Sequence, residues 1–570
     1  MRLRFLAAAG PPAALDRLSD ALAGPRGPSL EPIVRSPFLA VWTVPGTPCV
    51  RAPDGSGAAI GVVFDRASGR RQAVLPVPMP SEPAFVAQFW GAYVLIAGEA
   101  GGDHCILRDP SGGVEAYHRR CGPLDVYASD AALLAAAAAD PFEPDLEYLR
   151  QWLTFPFLRG CRTGVRGVHE LLPGTFWRSQ TIRALPTAAW SPRVWTDRSL
   201  AIDEPREAAD VLREEILRTV PRLASVAGDL VLQLSGGLDS SIVAAALAET
   251  SVPFRAVTFA TRAADGDERS YARAVARHCG VELIELVEDA AAADFEAVPA
   301  LSLRPPPSAL LQPIQRALSN HLVLSGADAT LDGAGGDNVF CYLNSASPAL
   351  DALRRTGPRR ALMALQDVAR MHGTTVWAAA RAAWRRSRRE RTPWQPDDSF
   401  LAAGNAARQP PDHPWLQHAR TADRGKFEHV QLIVGIHHFL ADPVPGGATV
   451  LHPLLAQSVV ETCLRIPTWL WVRGGRDRAI ARAAFGGLLP EAILARRSKG
   501  QLGSLFMTGY MGARGQLERV LLEGRLAAEG LLDREAIRDY LHRDGQPGDP
   551  GYLRLVELSA AEAWLRSFAR

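Results

Sequence analysis

Lysine is nearly missing from this chain of 570 residues. Only Lys426 and Lys499 occur among 63 basic residues, so arginine fills almost every position where a cation is wanted. A compact three-donor ammonium and a planar guanidinium make different contacts, which marks the two retained lysines as candidates for sites arginine cannot serve. Cysteine is scarce too. Cys49, Cys105, Cys121, Cys161, Cys279, Cys341 and Cys463 are scattered, odd in number and never spaced C-x-x-C. That fits a reducing compartment, gives no zinc pattern and leaves most of them as small core residues. No run of about 18 uncharged apolar residues appears, and the opening MRLRFLAAAGPPAALDRL is broken by proline and soon charged. Neither a spanning helix nor a signal peptide is expected, and the expected location is cytoplasmic. A dominant charge is also lacking: 63 basic against 61 acidic residues give +2. No global field draws the chain to nucleic acid or to an anionic membrane, so neither is an expected partner.

What is present is a hydrophobic content of 47%, enough to bury a sizeable core in two or more domains. Residues 1–200 carry short apolar runs such as FVAQFWGAYVLIAGEA and HCILRD between turn signals, and predict antiparallel β-structure. WSPRVWTDRSLAIDEP, residues 190–205, reads as a linker. From 229 the pattern alternates: DLVLQL then SSIVAAALAE, FRAVTFA then ERSYARAVARHCG, VELIELV, and DATLDGAGGD. Strands alternating with helices imply a parallel sheet that binds ligands at the carboxyl ends of its strands. The arginine-rich stretch 353–400 reads as helices within an insertion spanning about 340–430. Its charge is either a solvated helix face or a basic surface for a peptide, a partner or RNA.

The turn at 235 carries the chemistry. Ser235-Gly236-Gly237-Leu238-Asp239-Ser240-Ser241 ends a strand and opens a helix, so backbone N–H groups and hydroxyls converge on the positive end of a helix dipole. This is an anion site. Gly236 and Gly237 admit close approach of phosphate, and Ser235, Ser240 and Ser241 are placed to donate further hydrogen bonds. It is not a Walker A loop, because G-x-x-x-x-G-K-[ST] is absent.

SGGLDSS resembles the pyrophosphate loop of the ATP pyrophosphatase superfamily, whose members split ATP between the α- and β-phosphates. LDGAGGDN, residues 331–338, resembles the second glycine loop of the asparagine synthetase branch, with Gly333, Gly335 and Gly336 leading to Asp337. The resemblance implies ATP and Mg²⁺ as cofactors, with Asp239 and Asp337 as hard oxygen ligands to the metal; Asp239 and Lys499 are expected at the solvent-accessible mouth of the sheet. GDERSYARAVARHCGVE resembles the branch's following helix, with Asp267 and Glu268 at its start. LHPLLAQSVVETCLRIP resembles the R-x-P-F-L-D region, with His452 and Ala456 in place of the arginine and the final aspartate. LLPEAILARRSKGQLGS places Lys499 on the branch's lysine, a catalytic cation for charge growing on the leaving pyrophosphate. In GKFEHVQL, Glu428 and His429, near Lys426, are placed to line a peptide site or to lie on a helix surface; His437 and His438 read as interior histidines.

FWGAYVLIAG, ILRDPSGGVEAYH and GVHELLPGTF resemble the glutaminase-type domain that precedes such synthetase domains. The implied architecture is an N-terminal degenerate glutaminase-like (Ntn-type) β-rich domain over 1–200, then a parallel-sheet ATP pyrophosphatase synthetase domain over 201–570. The resemblance implies, for an active glutaminase, a nucleophilic cysteine exposed by removal of the initiator methionine; here position 2 is Arg2 and no cysteine precedes Cys49, so glutamine hydrolysis is not expected. Among relatives without the cysteine, β-lactam synthetases carry a tyrosine in the second loop where this chain has Ala334. The sequence is more similar to the macrolactam-forming lasso peptide cyclases. That resemblance implies adenylation of an Asp or Glu side chain of a core peptide and closure by its N-terminal amine, with a precursor peptide, a leader peptidase and a leader-binding protein as partners. A β-lactam synthetase-like or ammonia-dependent asparagine synthetase-like ligase, an adenylating RNA-modifying enzyme and an ATP-binding scaffold are the alternatives.

Overall fold

The computed structural model describes residues 3–569 apart from 26, 100, 139, 158, 183–184, 261–266, 288–292, 307–308, 393, 418–422, 441–447, 498–502, 544–548 and 550. Two six-stranded antiparallel sheets form the amino-terminal part. One runs Val168–Glu170, Tyr117–Cys121, Leu124–Ala128, Phe5–Ala9, Leu39–Thr43, Glu31–Arg35; the other runs Thr187–Ala188, Thr175–Arg178, His104–Arg108, Phe89–Gly98, Gly57–Asp65, Cys49–Arg51. The strand FLAAA shows no polar alternation because both of its faces are covered. Phe5, Ala7 and Ala9 enter the core between the sheets with Ile60, Val94, Ile106 and Tyr127. Leu6 and Ala8 instead meet Leu15 and Leu18 of the helix Pro12–Ala23 and Leu134 of Ala131–Ala137. A sheet buried on both sides needs apolar residues at every position.

The second sheet is covered from the carboxy-terminal part. Val63, Trp90, Tyr93 and Leu95 share one hydrophobic cluster with Leu212, Ile216 and Val220 of the helix Pro205–Ala224. That helix has the apolar spacing expected from its sequence, and its stripe supplies this contact.

The four strands read from 229 onward, joined by a fifth that the sequence reading did not include, Thr449–Leu451, form one five-stranded parallel sheet in the order Leu283–Val287, Arg255–Ala260, Leu230–Gln233, Ala329–Leu331, Thr449–Leu451. The protein is therefore a mixed α/β structure with a parallel sheet, as expected. Chain order runs outward on one side of Leu230–Gln233 and restarts on its other side at Ala329–Leu331. The carboxyl ends of these two strands thus flank the topological switch point. The helix Leu238–Glu249 is buried from Leu238 through Leu247 and has no amphipathic stripe, as a helix enclosed on all sides should. Within the insertion, Ser347–Thr356, Pro358–Met371 and Val376–Arg388 are helical, as their sequence predicts.

Charge is also buried between the two parts. Glu170 is fully buried and accepts hydrogen bonds from Arg108 Nη1 at 2.9 Å, Arg159 Nε at 2.8 Å and Arg304. Arg159 also donates through Nη1 to the carbonyl of His437, at 2.6 Å, which ties the first sheet to the helix Arg424–Phe439. Burial pushes the Glu170 carboxyl up, but the three guanidiniums outweigh it and hold its pKa at about 2. Burial lowers His437 well below the usual imidazole range, as expected of an interior histidine, while His438 is half-buried, with burial taking it to about 3.

Candidate active site

Seven residues make the first loop. Beyond Gln233 the chain turns through Gly236, whose φ of 74° suits a residue without a side chain and whose would-be Cβ falls 2.6 Å from the amide nitrogen of Ala272. Gly237 caps the helix, and the N–H groups of the first turn have no partners within the helix. Ser235 is exposed at the rim, and its Oγ lies 3.1 Å from Ser240 Oγ. The placement corrects the role expected of Ser241. Its hydroxyl is fully buried and donates to the Gly237 carbonyl at 2.7 Å, so it closes the first turn of the helix and does not face a ligand. Leu238 contributes backbone alone, since its side chain is in the core.

The second loop lies directly on the first. A Cβ on Gly333 would fall 2.4 Å from the Ser240 amide nitrogen, and one on Gly336 would fall 2.3 Å from Asp239 Cγ. Gly335 has a φ of 84°. Each glycine in GAGGD therefore has a steric reason, and the contact brings Asp337, on the short helix Gly336–Val339, beside Asp239. Gly336→Ala is expected to push the loops apart and lower ATP turnover by roughly a hundredfold while leaving the far-ultraviolet circular dichroism unchanged, because displacements near 1 Å are that costly to reacting geometry. Turnover within twofold of the parent would refute the role given to this contact.

Arg478 is the residue sequence reasoning missed. Its Nη1 donates to Asp239 Oδ1 at 3.0 Å and Oδ2 at 3.1 Å and also to Asp337, while its Nε donates to Asp477 at 2.8 Å. The guanidinium stands 5.3 Å over the Tyr342 ring, and the backbone is left-handed at φ 49°. Burial would lower the pKa of Arg478, but Asp239, Asp337 and Asp477 outweigh it and raise it. Asp239, expected at an open mouth, is 7% exposed because Arg478 covers it. One signal was available in the sequence: RDRAIAR, three arginines and an aspartate in seven residues just before the segment that holds Lys499.

Arg496 closes the other side. It donates to the Gly236 carbonyl at 3.1 Å, pairs with Glu268 and stacks 4.0 Å over the Tyr271 ring. Asp267, its neighbour at the helix start, pairs with Arg269 instead, and that hydrogen bond is the main reason its pKa is held at about 2. His452 Nδ1 lies 2.8 Å from Asp332 Oδ1, which also accepts the Ala334 N–H at 3.0 Å, so the histidine that replaces arginine braces the second loop. Lys499 lies outside the described residues. Arg496 and Arg497, just before it, border a cleft of about 90 Å³ with Tyr342, Arg476, Asp477 and Arg482.

Two carboxylates that converge on one positively charged nitrogen form a place where a cation can sit between them. As a donor set for Mg²⁺, Asp239 and Asp337 fit: both are hard oxygen ligands, and a triphosphate and water would complete the shell. No group of three or more His, Cys, Asp or Glu side chains suited to a metal occurs among the described residues. The other retained lysine has a structural place. Lys426 is 2% exposed and donates to the carbonyls of Leu464 and Ile466 at 2.6 and 2.5 Å, capping the end of the helix Gln457–Arg465. Burial lowers its pKa to about 8. His429 is likewise interior, its Nε2 2.9 Å from the Val339 carbonyl. Of that segment Glu428 borders a cleft, of about 480 Å³, and it is saturated by Ser345, Ser347 and Arg386 at 2.6, 2.7 and 2.8 Å.

No curated protein matches the sequence. Two solved structures to which the chain is similar are the allosteric regulatory enzyme of purine biosynthesis (10% identity, 51% of this chain and 82% of that one, TM-score 0.19) and glutamine phosphoribosylpyrophosphate amidotransferase from B. subtilis in complex with ADP and GMP (12%, 51% and 83%, TM-score 0.21). At those scores neither carries an argument. The asparagine synthase family, in contrast, matches residues 211–566, which take in both glycine loops, Arg478 and the segment through Lys499. With well over half of its length matched, the chain belongs to the asparagine synthase family.

Proposed function

We propose that this protein closes a macrolactam in a peptide. Family membership makes it an ATP-dependent amide ligase that releases AMP; the proposal concerns its substrate. A carboxylate does not react with an amine while oxide is the leaving group, so ATP first converts an Asp or Glu side chain of a core peptide to an acyl-adenylate with loss of pyrophosphate. The N-terminal amine of the same peptide then attacks the acyl carbon, the amine gives up a proton, AMP departs, and the peptide has lost one water overall.

The observation that carries this reading is the second loop. Position 334, where a β-lactam synthetase has a tyrosine to serve a weakly acidic nucleophile, is alanine, and its N–H is tied to Asp332. A peptide α-amine with a pKa of about 7.7–8.0 is already neutral in roughly a tenth of molecules at pH 7 and needs no such base. Three of the four cysteines of the amino-terminal part are poor nucleophiles for releasing ammonia from glutamine. Burial raises the thiols of Cys105, to about 12, and of Cys121 and Cys161, which keeps them protonated and poorly nucleophilic. In this scheme Asp239 and Asp337 hold Mg²⁺, which would neutralise phosphate charge. Ser235, Gly236, Gly237 and Ser240 line the pyrophosphate site, and Lys499 stabilises the leaving group. The precursor peptide, its leader peptidase and a leader-binding protein are the partners this chemistry calls for.

The test is pyrophosphate release from ATP and Mg²⁺ with a panel of leaderless peptides, beside aspartate plus ammonia, with product masses read in parallel. Peptide-dependent release with loss of one water is the expected result. Release with aspartate and ammonia alone would return the chain to asparagine synthesis, and silence with every substrate would favour the scaffold.

A further inference from the structure

Eleven of the thirteen tryptophans are buried or half-buried. The other two, Trp377 and Trp384, are 83% and 55% exposed and lie on the same helix, Val376–Arg388. They are seven residues apart, two turns and about 10 Å along the axis, so they share a face. Arg381 and Arg388 continue that stripe at the same helical spacing, with Arg385 beside it, and Arg388 stacks 4.4 Å over the Trp384 ring. The opposite side of the helix, through Ala379 and Ala383, packs on Val368, Ala369 and Val472. The stripe therefore points outward because the helix is held by its alanines.

Its neighbours have the same character. Leu353, Leu362 and Met363, on the two preceding helices, are each about half exposed. From Ala352 to Arg391 there are eleven arginines against Asp367 and Glu390, a net +9 in forty residues of a chain whose total is +2. The balanced overall charge conceals a strongly basic layer. On the Trp-bearing helix, Arg386 pairs with Glu428, while Arg381, Arg385 and Arg388 have no ion pair among the described residues.

We propose that this helical layer docks on an anionic lipid surface. Indole and guanidinium are the side chains that settle at headgroup depth, and cations near such a surface gain about fivefold in binding apiece. A peptide docks in a groove and a single strand of nucleic acid tracks one, but a tryptophan that is 83% exposed stands on a ridge. A bilayer accepts a ridge. The attachment is peripheral: no helix among the described residues is long and apolar enough to cross a membrane. This inference is independent of which substrate the ligase uses.

The experiment is co-sedimentation of the full chain with vesicles of phosphatidylcholine alone or mixed equally with phosphatidylglycerol, with tryptophan emission recorded on each. Binding to the anionic vesicles alone, a blue-shifted emission and release by salt are expected. Trp377→Ala with Trp384→Ala, and separately Arg381→Glu with Arg385→Glu and Arg388→Glu, should weaken binding, the latter by on the order of a hundredfold. All five side chains are on the surface, so thermal midpoints and pyrophosphate release in solution should match the parent. No binding, equal binding to phosphatidylcholine alone, or binding unchanged in both sets would overturn the proposal. So would capture by single-stranded RNA or a polyglutamate peptide without capture by vesicles.

Discussion

Asp239→Asn should lower ATP-dependent pyrophosphate release by roughly 10²–10³ without unfolding the protein. The substitution keeps the volume and removes the charge. Arg478 retains Asp337 and Asp477 as partners, so no buried guanidinium is orphaned and the stability cost is small. What is lost is one of the two negative charges that converge between the loops, with one carboxylate oxygen replaced by an amide nitrogen that cannot ligate a cation, a loss felt where the triphosphate and its metal must be held. Asp337→Asn should have a similar effect because Arg478 Nη1 meets both carboxylates. Ser241→Ala should behave differently: its hydroxyl serves the Gly237 carbonyl, so a modest drop in stability with near-normal turnover is expected. Pyrophosphate assays beside urea melts distinguish the cases. Full turnover in both aspartate variants would reject the site, and a large catalytic loss in Ser241→Ala would show that its hydroxyl faces the nucleotide after all.

The second large effect concerns stability. Glu170→Gln should cost about 3–5 kcal/mol at pH 7, because it leaves Arg108, Arg159 and Arg304 buried around a neutral amide, with Glu115 the remaining carboxylate on the first two. The pH dependence has a definite sign. Glu170 is held at about 2 in the fold against an ordinary 4.5, so the unfolded chain binds the extra proton between those values. Its contribution is complete above about pH 4.5 and fades as pH falls toward 2. The gap between parent and variant in urea melts should therefore narrow below pH 4.5; a gap that stayed constant down to pH 3 would mean that the charge of Glu170 is not the source.

Periodicity read the parallel sheet well because each strand, from DLVLQL to DATLDG, is a short apolar run bounded by turn residues, and its helices carry their own spacing. The two glycine loops were legible for a related reason: close backbone approach admits no other residue, so Gly333 and Gly336 mark the contact in the letters themselves. RDRAIAR was too weak a signal to single out Arg478, because it lies 239 residues from Asp239 and belongs to a chain in which arginine is everywhere. The rare-lysine argument separated poorly for the same reason. Lys426 is rare and buried to cap a helix, a role decided by Leu464 and Ile466, and nothing near it in sequence announces that.

Scarcity of lysine, balanced charge, the alternation of strands and helices and the two glycine loops are local properties, and by themselves they determined the parallel-sheet class and which segments form the glycine loops. Which groups share a space was decided by tertiary structure alone. Packing across the switch point brought Arg478 between two aspartates, turned Ser241 inward, enclosed Glu170 among three arginines and left Trp377 and Trp384 outside. Each of these depends on long-range burial, and burial sets both what a charge costs and what it can reach.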